Sequence, residues 1–161
     1  MNHDHLAQDF RKAFRMTIFI FSSVIANLFI LAIIAEIIRA RFKPFAGFVP
    51  TRNPAVLRYG FYAAGVIIII VLRILQKPLI GKTAGKPAQD VLRRLSRASI
   101  TTAALCEGPG LLGFVLFLLT GLHRDFIVLL IVSLFLSFMY FPRKRAWEER
   151  FRESLPAGME F

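Results

Sequence analysis

Glu107 is the side chain best placed to do chemistry. It stands in the string TAALCEGPGLLGFVLFLL, within the apolar run Ile100 to Leu119. An acidic residue at the centre of a spanning helix is disfavoured by roughly 2.5–3.5 kcal/mol on insertion scales. Carboxyl groups in such positions face protein or water and are candidates for proton or cation sites. Desolvation favours the neutral acid, so a protonated, neutral Glu107 is expected at rest. The next residues add to this chemistry. Pro109 has no backbone N–H, so the carbonyl of Leu105 loses its helical partner. A kink is therefore expected across Gly108, Pro109 and Gly110. A carboxylate beside a freed carbonyl is a seat for a proton or for Na⁺.

Three polar side chains are expected at the same depth. A helix rises about 1.5 Å per residue, which places Glu107 about 15 Å beyond Arg97. Asn27 lies about 18 Å and Ser23 about 12 Å beyond Arg15, and Ser133 about 12 Å from the inner end of its own helix. An amide and two hydroxyls can each donate to a carboxylate. Asn27, Ser23, Ser133 and Glu107 thus form the candidate ion or proton site. Gly65 and Ala64 fall near that level and permit close backbone approach.

The string CEGPGLLGFVLFLL resembles the ion-carrying helix of the rotor-ring proteolipids of rotary ATPases. In that helix a mid-membrane Glu is followed six residues later by Gly and then by an apolar run; the matching pair here is Glu107 and Gly113. Four spans in a chain of this length also look like the duplicated proteolipids. The resemblance implies that Glu107 is a proton or Na⁺ ligand.

The elements that must position these groups are apolar helices. Of 161 residues, 56% are hydrophobic and 19% charged, which excludes an ordinary soluble domain. Four runs are expected to span a bilayer, at about residues 16–38, 56–75, 98–120 and 126–141, giving an all-α, four-helix membrane bundle in a single domain. The block VIIIIVL in the second run also fits a buried strand, but the length of the run favours a helix. Residues 39–55 and 77–89 are rich in Pro and Gly and read as connections. The stretch DVLRRLSR, from Asp90 to Arg97, is expected to form the wet first turns of the third helix. The short connection GLHRD makes helices three and four antiparallel neighbours and reads as a solvated turn.

The net charge of +11 is a topology signal, not a nucleic-acid footprint, because no base-reading or aromatic-interleaved basic motif accompanies it. Fifteen of the 21 basic residues fall beside the N-terminal tail, the middle connection and the C-terminal tail. Positive-inside then puts both termini in the cytoplasm, in a plasma or inner membrane. Arg93, Arg94 and Arg97, with Arg143, Lys144 and Arg145, are expected to form one patch able to recruit anionic lipid headgroups.

Other chemistry finds no support. The single Cys106 precludes an intrachain disulfide, and the three His residues are scattered. Without a nucleophile–base pair, phosphate loop or metal motif, no enzyme activity, cofactor or metal is expected. The function expected is a structural or accessory subunit of a larger membrane complex, with the bilayer and other membrane subunits, or further copies of itself, as partners. The alternative is translocation of protons or cations through Glu107.

Overall fold

A computed structural model describes residues 3–49, 53–79, 88–145 and 147–149. It contains four α-helices: α1 His3–Arg41, α2 Pro54–Leu79, α3 Ala88–Thr120 and α4 His123–Met139. Among the described residues there is no strand, so the isoleucine block of α2 is helical. Three helices, α1, α2 and α3, are long and apolar enough to cross a membrane.

No Pro or Gly interrupts residues 3–41, and α1 accordingly runs unbroken for 39 residues, about 58 Å. Its first turns extend well beyond the apolar stretch. α2 opens on Pro54, where a missing N–H is harmless because the first turn has no intrahelical acceptor for it. It ends at Leu79, beyond the expected boundary. Pro78 falls within its last turn. α3 is continuous from Ala88, and DVLRRLSR does form its first turns. α4 is shorter than the others, at 17 residues. It starts three residues before the expected span and stops two before its expected end. Tyr140 closes it as a turn, its N–H bonded to the Leu136 carbonyl, and Pro142 follows.

α3 is the central helix. It packs against α4, α2 and α1, whereas α1 and α2 make little contact with each other. Within its most apolar window α3 is 44% buried, against 11% for α2. The core is a chain of clusters along α3. Phe21, Val24 and Ala103 join α1 to α3. Leu28, Leu31, Ala35, Phe117, Phe126 and Leu130 join α1, α3 and α4. Leu72, Cys106 and Leu136 join α2, α3 and α4.

The two ends of the molecule are closed differently. At one end Phe10, Val91, Leu92, Leu95 and Trp147 form a separate apolar cluster, with Phe14 against it. Trp147 meets the Phe14 ring edge-on at 5.6 Å. Residues close to both termini thus gather on the first turns of α3. At the other end, residues 42–49 fold over the α3–α4 connection. The Phe48 N–H donates to the Leu118 carbonyl at 2.9 Å, and the Phe45 ring lies 5.0 Å from Phe117. Gly47 and Gly121 meet there at φ +92° and +72°, and a side chain on either would strike the backbone of the other segment.

Candidate functional site

The polar groups at mid-helix sort into two adjoining arrangements. In the first, the Asn27 side-chain amide on α1 donates to Oε1 of Glu107 on α3. Both residues are half-buried. α1 packs on α3 through Phe21, Val24 and Leu28, and Asn27 follows Val24 at the edge of that contact. Asn27 is the hydrogen-bond partner of Glu107 among the described residues, and no basic side chain pairs with the carboxyl there.

The second arrangement braces α3 beside its proline. Ser133 on α4 is fully buried. Its Oγ accepts from the Gly110 N–H at 3.0 Å and donates to the carbonyl of Cys106. Those two backbone groups stand four residues apart, the pair that a regular helix joins directly. The hydroxyl of a neighbouring helix therefore bridges one step of the α3 ladder, next to Pro109. The carbonyl that Pro109 leaves without a helical donor is that of Leu105, and Ser133 braces the adjoining step from Cys106 to Gly110. A side chain at Gly110 would collide with Leu28, and its Cβ would lie 3.1 Å from Ser133 Oγ. The glycine is therefore what lets α4 reach the backbone.

The expected quartet is only partly assembled. Asn27 and Glu107 meet. Ser133 lies at the same level but serves the backbone of Cys106 and Gly110 rather than the carboxyl. Ser23 is exposed and makes no bond to Glu107. It lies one turn from Asn27 on the same side of α1, a turn short of the level of Glu107. The expected kink segment is divided: Pro109 and Gly110 are buried, and Gly108 faces Ile68 of α2.

A second polar cluster escaped sequence reasoning. Asp125, in the first turn of α4, is only 5% exposed. Its Oδ1 lies 2.9 Å from an Arg58 nitrogen and accepts from the Tyr62 hydroxyl at 2.9 Å. Both partners are on α2. The connection read as a solvated turn is thus a buried junction between α2 and α4. Beside it, His123 Nε2 lies 2.8 Å from Glu36 Oε1, a close polar contact without the alignment of a hydrogen bond. Glu36 also pairs with Arg39 at 3.5 Å. Phe117 and Phe126 pack around the imidazole. An acidic residue one step beyond a basic one, flanked by helices, was the only signal for this in the sequence. Arg58 is remote in sequence and could not be assigned to it.

Arg93, Arg94, Arg97, Arg143, Lys144 and Arg145 are all exposed, near the cluster of Phe10, Val91, Leu92, Leu95 and Trp147. Lys144 also reaches Glu148 at 3.3 Å. The basic C-terminal residues beyond 149, and Lys82 and Lys86 of the middle connection, lie outside the described residues. No group of His, Cys, Asp or Glu able to hold a metal ion occurs among the described residues.

No family model, curated protein or solved structure matches the chain.

Proposed function

We propose that the protein is a small membrane subunit of four spanning helices that serves in a larger assembly. The observation that carries this reading is where its buried polar groups go. Asn27–Glu107 ties α1 to α3, Ser133 ties α4 to α3, and Asp125 ties α4 to α2. Each cross-links helices, as polar side chains do between spans. Groups spent in this way hold a scaffold together; they do not form a continuous polar path. α4, with 17 residues, would span about 26 Å and reach the bilayer surfaces with help from Tyr140 and the flanking basic residues. The clustering of Phe10 with Trp147 supports both termini lying on one side, which the excess of basic residues assigns to the cytoplasm.

Release from native membranes followed by intact-mass measurement tests the reading. An assembly heavier than the 18.3 kDa chain and containing other polypeptides is expected. A lone chain with nothing bound would refute it.

The half-buried carboxyl of Glu107 favours a second reading, proton or cation translocation, in keeping with the resemblance to rotor-ring proteolipids. The outer half of α3, LLGFVLFLL, offers it no polar continuation. Ion flux into reconstituted vesicles separates the two. Equal flux for the wild type and Glu107→Gln removes translocation.

A further inference from the structure

We infer that His123 is a proton-operated switch at the end of the bundle covered by residues 42–49. A proton on its Nδ1 expels Arg39 and leaves the Glu36 carboxyl of α1 clasped by the first turn of α4. This goes beyond the reading of the protein as a subunit and does not depend on it.

The neighbours of the imidazole select its tautomer. Arg39 Nη1 lies 3.4 Å from Nδ1. A guanidinium only donates, so Nδ1 carries the lone pair and the proton of the neutral ring sits on Nε2. Nε2 is buried and lies 2.8 Å from Glu36 Oε1, short of hydrogen-bond alignment. Arg39 Nε in turn lies 3.5 Å from Glu36 Oε2. One guanidinium thus bridges the carboxyl and the ring. Phe117 and Phe126 pack edge-on beside the imidazole, which is only 19% exposed. Both of its nitrogens therefore face α1 rather than bulk water.

Imidazole is the side chain whose ordinary titration falls between about pH 5 and 8. The added proton enters at Nδ1, the nitrogen with the lone pair. Nδ1 then becomes a donor facing a donor, with two cations 3.4 Å apart. Arg39 is half-exposed, and its pair with Glu36 is a surface pair within one helix, a kind that contributes little. It therefore swings into solvent. Glu36 keeps one cationic partner, now on α4 instead of α1, and the freed ring can turn to align Nε2–H on the carboxyl. No other charge competes for the ring. α3 reaches it through Phe117 and ends in LLGFVLFLLT, without a charged residue. On α4, Arg124 is exposed, and Asp125 is held by Arg58 and Tyr62 of α2. Arg41 and Lys43, where α1 gives way to the covering segment, are exposed.

The test is nitrogen and carbon NMR of the full chain in lipid bilayers, with labelled His, Arg and Glu. The His123 ring is assigned by the loss of its signals in His123→Gln, and independently by its contacts to Phe117 and Phe126, so a variant that fails to fold does not block the test. At about pH 8 the inference expects the Nε2–H tautomer and a contact between the ring and the Arg39 side chain. At about pH 5.5 it expects both ring nitrogens protonated, the Arg39 contact gone, and the Glu36 carboxyl carbon still beside Nε2. Loss of the Arg39 contact should share the midpoint of the ring titration. His123→Gln should show no change at Arg39 over this range. An Nδ1–H tautomer at the higher pH would overturn the inference. So would a ring that stays neutral at the lower pH, an Arg39 contact that outlasts protonation, a Glu36 carboxyl that leaves the charged ring, or the same Arg39 change in His123→Gln.

Discussion

The capped end of the bundle and its middle treat carboxyl groups in opposite ways. At the capped end Asp125 meets Arg58 and Tyr62, and Glu36 meets Arg39 and His123. Each acid there has a basic partner from this chain. In the middle, Glu107 has Asn27 as its partner among the described residues. The first region is complete in itself and fastens α1, α2 and α4 to one another. The second holds α1 to α3 but leaves a carboxyl short of a counter-charge. The difference is that the acids at the capped end have charged partners on this chain, whereas Glu107 is held by an amide.

The largest expected effect concerns the close approach of α4. Gly110→Leu would drive a side chain into Leu28 and Ser133, an overpacking worth about 3 kcal/mol. Unfolding in detergent, followed by circular dichroism, should show this loss. An unchanged midpoint would mean that α3 and α4 do not meet as closely as described.

Asp125→Ala comes next. It removes a charge-assisted bond and the Tyr62 hydroxyl bond, about 2 kcal/mol after allowance for the half-exposed Arg58. Arg58→Ala should cost less, because Tyr62 continues to donate to Asp125. Equal losses would contradict the description of Asp125 as the hub. Ser133→Ala ranks third, at about 1 kcal/mol, because it strips a partner from both Gly110 N–H and Cys106 C=O. Hydrogen exchange should quicken at Gly110 in this variant. Exchange that stays slow there would show that the ladder closes without the hydroxyl.

Much of the fold was legible from spacing. Uninterrupted apolar length gave α1, the short connection gave the α3–α4 pair, and rise per residue placed Asn27 opposite Glu107. Depth is a local property and survives a reading along one chain. Azimuth does not, because it depends on which neighbours pack where. Ser23, one turn before Asn27, is exposed and does not reach the carboxyl. Ser133 has a suitable depth and a different client, since Gly110 brings it nearer to the α3 backbone than to the carboxyl. The Asp125–Arg58 pair was hidden for the same reason: it joins residues far apart in sequence, and only the packing of α2 against α3 and α4 makes them neighbours.

The smallest effect is expected at the exposed basic end. Neutralising Arg93, Arg94 and Arg97 should reduce retention of anionic lipid in native mass spectrometry, each residue contributing about 1 kcal/mol at most. Unchanged retention would leave those charges with orientation as their only role.

The most direct test of the account compares one variant in two settings. Glu107→Gln keeps an acceptor for Asn27 and removes only the ionisable carboxyl. Unfolding of the isolated chain should shift by no more than about 0.5 kcal/mol. The amount of chain held in its native assembly should fall about tenfold. A large loss of stability in the isolated chain, with the assembly undiminished, would show that Glu107 serves this fold alone and would contradict the account.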